Sequence, residues 1–414
     1  MSHQAKGHVP VSKVVADAEL DSPACWAGFD PYDGLTGTRL PGWAVSRRRA
    51  RQAVVQLRKR SPVDLGPVLG IRPRVIAKAQ ACFLMAESRL ETAQVPGAGD
   101  RLTRAQDIVT AMRLADGNHG DGAWGYEFDV QTRWAYYNAG SPNLIATVFV
   151  GRGFGEAATA FNASGWLNEA AFSAGYLAQM LVRTFAKDRI FFAYTLDSPR
   201  LIHNANLLGA ALVAMLGVLE TRPQWIRLGL DAAATTIAAQ LSDGSWPYGE
   251  GPGLGWSDNF HTAYNLDGLL LLWLASGDTV VLRSLRQGLE HWVNSFFGPR
   301  GEPKYRPDKP YPFDIHSAAT AIDTAARLAT WGFPTADLAW QVAAWTQANL
   351  IDPLSGRTYF QQHRLFTDRR SFVRWGQAHW ALASSSLAML KAGVRSPLES
   401  AVAGQSGVSP LGQA

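Results

Sequence analysis

The chain has 414 residues and a formal net charge of +5, and 47% of its residues are hydrophobic, so it can bury a large core. Its start has no apolar signal-peptide core, and no segment offers an uninterrupted apolar run long enough to cross a bilayer. These features predict a cytoplasmic protein. Two cysteines, Cys25 and Cys82, are too few for a disulfide framework or a zinc site, and we expect both to be thiols.

The positive charge is concentrated in residues 39–78, which hold eleven Lys or Arg residues and one acid, Asp64. Such a segment attracts an anion, and the candidates are a phosphate-bearing lipid carrier, an anionic glycan, an acidic membrane surface or nucleic acid. A solvated basic face without a ligand is the alternative. The sequence has no zinc-finger, RNA-binding or heptad signature, so we expect no nucleic-acid partner.

Apolar periodicity predicts twelve helices and almost no strands, and paired in chain order the helices make six helical hairpins. The predicted helices cover residues 48–60, 75–94, 103–115, 143–161, 166–184, 201–220, 223–241, 260–276, 279–296, 316–331, 335–350 and 374–391. Residues 1–22 are predicted to be a disordered N-terminus and residues 396–414 a flexible C-terminal tail. One folded domain over residues 23–395 remains.

The predicted helices fall into two classes. One class is rich in small and apolar residues nearly all round, as buried helices are. Its members cover 143–161, 201–220, 260–276, 316–331 and 374–391. Helices such as 103–115, 223–241 and 279–296 carry charged residues opposite an apolar stripe. The alternation predicts an inner and an outer ring of helices, and hence an all-α fold, a single closed α/α toroid.

A short aromatic turn precedes each helix of the buried class. The five copies cover residues 121–128, 191–199, 243–251, 301–314 and 356–366. In a toroid the helix starts that follow these turns converge on one mouth, so we expect the aromatic hairpins to line its rim. Tyr and Trp rings can stack on a ligand there, which predicts a deep aromatic pocket.

The segment AATTIAAQLSDGSWPYG resembles the QW repeat of squalene-hopene and oxidosqualene cyclases, in which Gln240, Gly244 and Trp246 would staple neighbouring helices. The resemblance implies the α/α toroid that terpenoid cyclases share with protein prenyltransferase β subunits and many glycan-processing enzymes. The protonating DxDD motif of the cyclases has its nearest counterpart at residues 321–325. There Ile322 replaces the Asp that resembles the proton donor.

A second resemblance covers most of the chain. It rests on FDPYDGL, KRSPVDLGPVLGI, HNANLLGAAL, DGSWPYGEG, DNFHTAYNLD and YPFDIHSAA. Together these segments are similar to uncharacterised cyclase-like proteins associated with bacterial exopolysaccharide biosynthesis. The resemblance implies a glycan pathway more than a defined reaction.

Polar side chains recur at one level in the first turns of the buried helices, and several can carry acid–base chemistry because His titrates near neutral pH. The candidate catalytic residues are His203, Asp258, His261, Tyr264 and His316. The candidate substrate-binding residues are Tyr126, Glu127, Asn204, Tyr248, Glu250, Asn259, Asp314, Arg374, Trp375 and His379. Among these, Arg374 can clamp a carboxylate or phosphate with two parallel hydrogen bonds.

Each candidate also has a structural interpretation. Asn and Asp at a helix start, such as Asn259 and Asp314, often cap the helix, and a single His near an apolar face is usually a core residue. Asp267, deeper on the Tyr264 face, is expected to pair within the core. The histidine spacing matches no metal motif, so we expect no metal and no cofactor, with a zinc-binding His cluster as the alternative.

Three functions follow as hypotheses. The first is a carbohydrate-active enzyme of polysaccharide biosynthesis that binds an acidic or lipid-linked glycan and uses His and Tyr for uronate C5-epimerisation or β-elimination. Glycoside hydrolysis by paired carboxylates is its neighbouring option. The second is a terpenoid cyclase or prenyltransferase-like enzyme that lacks the DxDD acid. The third is a non-catalytic glycan-binding assembly subunit. The sequence leaves the sugar and the oligomeric state open, and membrane association through the basic segment stays an alternative.

Overall fold

A computed structural model describes residues 27–96, 100–115, 122–133, 135–186, 188–198 and 200–412. The described helices are α1 (Gly42–Ser46), α2 (Arg48–Arg60), α3 (Gly66–Leu69), α4 (Ala77–Thr92), α5 (Arg101–Ala115), α6 (Leu144–Ala160), α7 (Ser164–Met180), α8 (His203–Leu219), α9 (Pro223–Ile237), α10 (Asn259–Ser276), α11 (Thr279–Phe296), α12 (Ile315–Thr330), α13 (Ala336–Asn349), α14 (Ala378–Ala392) and α15 (Pro397–Ser406). A 3-10 turn covers Asp33–Thr36, and a π-helical turn over Val373–Gln377 leads into α14.

The strands of the described residues are short and form three antiparallel sheets, β1–β2, β3–β4 and β5–β6–β7. They are β1 (Val130–Gln131), β2 (Tyr136–Tyr137), β3 (Val182–Ala186), β4 (Arg189–Phe192), β5 (Phe313–Asp314), β6 (Gln361–Gln362) and β7 (Thr367–Asp368). The predicted disorder of residues 1–22 and the thiol of Cys25 lie outside the described residues.

Six helices form a closed inner ring. In the order α4, α6, α8, α10, α12 and α14 each packs against the next, and α14 packs against α4. These helices are buried on nearly every side, as their small and apolar residues predict. The outer helices α5, α7, α9, α11 and α13 each pack against the inner helix that precedes them in the chain. The predicted all-α toroid with two rings is confirmed, and no described helix is long and apolar enough to cross a membrane.

The pairing of helices differs from the prediction. Each hairpin is an inner helix followed by an outer one, whereas pairing in chain order places the outer helix first. The helix α2, expected to begin the first hairpin, instead packs against α1, β1 and the 3-10 turn. Only Val55 and Arg58 of α2 are buried. Its apolar face is therefore too narrow to serve as a ring helix.

The C-terminal segment also differs from the expected flexible tail. Residues Pro397–Ser406 form α15, which packs against α6, α8 and α10. Leu398 and Val402 are buried there, and the Glu399 carboxylate pairs with Arg327 of α12. Because α15 contacts several inner helices at once, it is buried on more than one side. Such a helix lacks the amphipathic period by which a surface helix is recognised.

The turn after α9 is fastened to α11. The side-chain amide of Gln240 donates to the carbonyl oxygens of Gly244 at 3.0 Å and Ser284 at 3.1 Å. The Trp246 ring packs so closely on α11 that a Cβ at Gly288 would lie 2.4 Å from it. These contacts link neighbouring helices, which is the role that the cyclase resemblance implies for Gln240, Gly244 and Trp246.

A group of buried charges, here called the ion network, lies more than two turns beyond the starts of the inner helices. Its members are Arg89, Arg152, Arg327, Glu156, Asp267, Asp323 and Glu399. Burial favours a neutral Asp323, but the charges of Arg89 and Arg327 outweigh it and lower the pKa of that carboxyl. Asp323, which follows Ile322 in the segment that resembles the DxDD motif, is therefore an ionised, paired carboxylate. Asp267 pairs with Arg152 and Arg327, which is the structural role expected of it.

Candidate active site

A cavity of about 360 Å³, here called the main cavity, lies where the first turns of the inner helices meet the aromatic hairpins. Its aromatic walls come from Tyr32, Tyr126, Tyr137, Tyr194, Tyr248, Trp256, Phe260, Tyr264, Tyr305 and Trp375. The cationic side chains on its wall are Lys78, Arg133, Arg200 and Arg374. Within the described part of the chain, no Asp or Glu side chain lines it. The wall therefore combines ring faces with positive charge, which suits an anionic ligand that has apolar faces.

His261 and Asp258 form a hydrogen-bonded pair at the start of α10. Asp258 caps the helix by accepting the backbone N–H of His261, and both carboxylate oxygens lie 2.9 Å from His261 Nδ1. Because a carboxylate only accepts, Nδ1 carries the proton, and the lone pair of Nε2 is available on the ring edge away from Asp258. The His261 side chain is 20% exposed and lines the main cavity. This is the arrangement of a general base held by a carboxylate.

Tyr264 and His316 form a second pair on the cavity wall. The Tyr264 hydroxyl lies 3.1 Å from His316 Nε2, and His316 Nδ1 lies 3.2 Å from the backbone carbonyl oxygen of Trp375. The carbonyl accepts, so Nδ1 donates to it and Nε2 accepts from Tyr264. Burial, reinforced by the nearby His379 and Lys78, lowers the pKa of His316, and burial raises that of Tyr264. Both groups are therefore neutral near pH 7, and Tyr264 keeps its proton.

One aromatic ring separates the two pairs. The Phe260 ring centroid lies 3.9 Å from that of His261 and 4.8 Å from that of His316. His261 and Tyr264 both line the main cavity, and both of their rings lie beside Phe260. Proton exchange at a sugar carbon requires a base and a proton donor that reach the same ligand.

Lys78 adds an amine to this cavity from the first turn of α4. Its residue surface is 3% exposed, and its Nζ lies 4.2 Å from the Phe149 ring centroid. It forms no hydrogen bond or ion pair with any residue that the structure describes. Burial, together with the charge of Arg374, lowers its pKa to about 7. The amine can therefore bind an anionic group as a cation or accept a proton as a neutral base.

Arg374 does line the main cavity, but its guanidinium is already occupied. Nε and Nη2 bind the two oxygens of Asp30 at 2.6 and 2.7 Å, and the group lies over the Tyr126 ring. The predicted clamp on a substrate carboxylate is thus a clamp on Asp30. Because Asp30 neutralises this arginine, Lys78 is the better-placed cation for a ligand.

Three further candidates have structural contacts and do not line the main cavity. Asn259 accepts from Trp292 Nε1 at 2.8 Å and donates to the Lys304 carbonyl, and Asp314 caps α12. Glu127 accepts the backbone N–H of Ala77 at the start of α4. Asp314 is thus the helix cap that was expected, whereas Asn259 is not, because Asp258 caps α10 and Asn259 instead bonds α11 and the loop at Lys304. Glu127 likewise has a structural contact.

His203 is not brought to the main cavity. Its Nδ1 lies 3.1 Å from Thr236 Oγ1 of α9, and its Nε2 lies 3.4 Å from Glu250, whose side chain is 41% exposed. Burial lowers the pKa of His203 to about 4, so the ring is neutral and packs between helices. The ring points towards the outer helix because His203 is the first residue of α8, whereas His261 is the third residue of α10. Two helical positions differ by about 200° around the axis, so the two side chains leave their helices in nearly opposite directions.

The other candidates lie at or next to the main cavity. Tyr126, Tyr248 and Trp375 form part of its wall, and Trp375 stacks on His316 with ring centroids 4.4 Å apart. Asn204 also lines it, and its Oδ1 has no hydrogen-bond donor among the described residues. His379 lies behind the wall, with its ring centroid 4.1 Å from that of His316.

Sequence reasoning missed Lys78, Asp30 and Tyr194. Lys78 occupies the first turn of a predicted helix, 75–94, but no aromatic turn was recognised before that helix, so its polar groups were not aligned with the others. Asp30 lies in FDPYDGL, far in the chain from Arg374. Lys78 could have been identified from the closure of the toroid. A closed ring of six inner helices needs a sixth helix besides the five that follow aromatic turns, and Lys78 lies in that helix.

No group of three His, Cys, Asp or Glu side chains suited to a metal ion occurs in the described ranges. The polar groups that line the main cavity are imidazoles, hydroxyls, amides, guanidinium groups and one amine. Protons can be moved by this set without further groups.

Comparison with known proteins supports the fold. No family model matches the chain, and no curated protein matches it. Cellobiose 2-epimerase from Bacillus thermoamylovorans B4167 aligns with a TM-score of 0.55 and 12% identity over 76% of this chain and 87% of its own. Unsaturated glucuronyl hydrolase from Bacillus sp. GL1 aligns with a TM-score of 0.54 and 13% identity over 73% and 84%. D-mannose isomerase aligns with a TM-score of 0.52 and 13% identity over 74% and 87%.

At these identities the similarity establishes a shared α/α-toroid fold and no shared activity. The class of protein is therefore an α/α toroid of the architecture found in sugar epimerases, isomerases and hydrolases. Membership of the terpenoid-cyclase superfamily, or of the exopolysaccharide-associated group within it, stays a prediction from sequence.

Proposed function

We propose that the chain is a carbohydrate-active enzyme that removes and returns protons on an anionic sugar bound in the main cavity. One observation carries the proposal: the His261 and Tyr264 side chains, each held by a hydrogen-bonded partner, line a cavity that has an unpaired amine, Lys78, and no described carboxylate on its wall. A positive, aromatic cavity attracts an anionic sugar, and its acid–base groups are neutral ones suited to proton transfer.

The concrete reaction is proton abstraction beside a uronate carboxylate. His261 Nε2 accepts the proton from C5, and the electron pair of the broken C–H bond is delocalised into the carboxylate. The charge that builds up on the carboxylate oxygens is stabilised by the Lys78 ammonium. Asp258 stabilises the imidazolium that forms.

Two outcomes follow from that intermediate. In epimerisation, Tyr264 gives its hydroxyl proton to the opposite face of C5, and the C–H bond forms again with inverted configuration. The tyrosinate then takes a proton back from solvent as the His261 imidazolium releases the proton that it accepted. In β-elimination, the bond between C4 and its glycosidic oxygen breaks, a C4–C5 double bond forms, and the departing oxygen takes the abstracted proton from the His261 imidazolium. Similarity in fold to a sugar epimerase supports epimerisation as an analogy, and similarity to an unsaturated glucuronyl hydrolase supports a uronate sugar as ligand but not elimination.

Glycoside hydrolysis is disfavoured by the positions of the carboxylates. Hydrolysis needs two carboxyl groups that flank one bond. Asp258 is engaged by His261, Asp314 caps α12 and binds Trp375, and Glu250 lies beside His203. Terpenoid cyclisation by protonation is disfavoured by Asp323, which is ionised and paired with Arg89.

The test is incubation with uronate oligosaccharides in heavy water. The expected result is deuterium at C5 or an unsaturated product, with turnover reduced by roughly 10²- to 10⁴-fold in His261→Gln and Tyr264→Phe. A matched control is His291→Gln, because His291 of the outer helix α11 also faces a carboxylate, Asp243, but lies outside the main cavity. Absence of both deuterium and unsaturated product would reject the reaction.

A non-catalytic role in glycan assembly makes a different prediction. Glycan modification would then be normal in the double variant His261→Gln/Tyr264→Phe, while assembly still required the protein. Loss of modification with assembly retained supports the enzyme instead.

A further inference from the structure

A second cavity, here called the basic cavity, lies beside the main cavity and has a volume of about 470 Å³. Two lysines and two arginines line it: Lys59 and Arg60 from α2, and Arg306 and Lys309 from the loop before β5. None of the four forms an ion pair with a residue in the described ranges. The carboxylate on its wall, Asp368, is bound by Arg370 through both oxygens. The basic cavity therefore presents uncompensated positive charge.

The two cavities adjoin one another. Gln56 of α2 and Tyr305 line both. Lys59 Nζ donates to the Tyr32 hydroxyl at 2.6 Å, and the Arg306 guanidinium lies 5.8 Å from the Trp256 ring centroid. Tyr32 and Trp256 belong to the main-cavity wall, so these two cations stand at the junction. A ligand that fills the main cavity and continues past Gln56 and Tyr305 enters the basic cavity.

From this geometry we infer that the basic cavity is a subsite for a second anionic group of the same substrate, so that the two cavities together bind an anionic sugar chain longer than one unit. The inference rests on the proposed function for the occupant of the main cavity. The separate basis for the subsite is that four cations without ion pairs line one concave surface. Their combined charge attracts an anionic ligand to that surface. A carboxylate of the next uronate unit and a phosphate on the sugar share this chemistry.

The test compares a monosaccharide, a chain and a phosphate probe. Galacturonate, its tetramer and inorganic pyrophosphate are titrated calorimetrically into the wild type and into Arg306→Gln/Lys309→Gln. We expect the tetramer to bind the wild type more tightly than galacturonate does. The double variant should bind the tetramer about 5- to 30-fold more weakly, from up to about 1 kcal/mol for each exposed charge pair, and should bind galacturonate unchanged. High salt should reduce the tetramer affinity of the wild type in the same direction.

The matched control is Arg283→Gln/Arg286→Gln, which removes the same charge from exposed positions on the outer helix α11. Equal loss of tetramer binding in both double variants would mean a general charge effect and would overturn the subsite. Equal affinity of monomer and tetramer for the wild type would overturn it as well, unless pyrophosphate binds and is lost only in Arg306→Gln/Lys309→Gln, which identifies a phosphate as the anion. Binding of neither anion overturns the subsite outright.

The two proposals fail in different ways. Tetramer binding that depends on Arg306 and Lys309, with no proton exchange at C5, retains the subsite and removes the reaction. Proton exchange that is independent of chain length and of these two residues retains the reaction and removes the subsite.

Discussion

The interior of the toroid contains two groups of charged side chains, one in which the charges are paired with opposite charges and one in which a buried amine is not. In the ion network, three arginines meet four carboxylates, and each described member has a partner of opposite sign. At the main cavity, the Lys78 amine has no carboxylate partner, and no Asp or Glu among the described residues lines the wall. Burying a charge costs several kcal/mol unless it is paired.

The difference separates structural charge from functional charge. The ion network joins four inner helices to α15, so its pairs compensate one another and hold the ring together. Burial lowers the pKa of Lys78, so we expect its charged form to destabilise the folded state, and a perturbed, unpaired group of this kind is typical of a binding or catalytic site. Substitutions in the two regions should therefore change stability in opposite directions.

The largest expected effect is on the ion network. Arg327→Met leaves Asp267, Asp323 and Glu399 short of a partner, and breaking a buried pair in this way costs about 3–5 kcal/mol. The free energy of unfolding in urea measures the loss. Arg283→Met on the outer surface serves as the control and should change stability by less than about 0.5 kcal/mol. A loss below about 1 kcal/mol for Arg327→Met would mean that the network is not what holds the ring.

Lys78→Met should act with the opposite sign. The folded-state pKa of Lys78, about 7, is below its unfolded value, so the unfolded chain binds more protons above pH 7 and stability rises with pH. The wild type should therefore gain roughly 3 kcal/mol relative to Lys78→Met between pH 7 and pH 10, and be the less stable of the two at pH 7. Parallel urea titrations across that range measure it. A constant difference between the two proteins would show that Lys78 is charged and paired in the fold.

Most of the helices, and their division into inner and outer ones, could be predicted from the sequence because the inner helices are apolar nearly all round. The toroid follows from that pattern. The positions of α2 and α15 in the fold could not be predicted from the sequence. The α2 segment has helical periodicity but does not join the ring, and α15 is buried on more than one side, so it shows no amphipathic period. Both depend on contacts with distant parts of the chain.

The candidate site was predictable in position and only partly in membership. His261, Tyr264 and His316 share the main cavity because their helix starts converge there. Helix alignment gives the level of a residue along the axis, but the direction of a side chain depends on its neighbours. His203 is the first residue of its helix and His261 the third, so His203 faces Thr236 of the outer helix instead of the cavity, and Arg374 binds Asp30 from the other end of the chain.

His203 is a buried histidine with a structural contact, in contrast to His261 and His316, which line the main cavity. Its neutral ring bonds Thr236 between α8 and α9, so His203→Gln should lose about 1–2 kcal/mol of stability, which is what a buried hydrogen bond contributes, and should keep its turnover. Urea unfolding and deuterium incorporation at C5 measure the two quantities. Turnover reduced more than tenfold at unchanged stability would instead return His203 to the active site.

The smallest expected effect distinguishes two glutamates of the hairpins before α6 and α10, Glu127, three residues after Trp124, and Glu250, four residues after Trp246. Glu127 accepts a backbone N–H at the start of α4, where a negative charge is favoured by the helix dipole, so Glu127→Gln should cost about 1 kcal/mol. Glu250 is 41% exposed and faces His203, a neutral ring that offers no opposite charge. Glu250→Gln should therefore change stability by less than about 0.5 kcal/mol and leave ligand binding unchanged. Weaker tetramer binding in Glu250→Gln would show that the rim of the toroid contacts the ligand beyond both cavities.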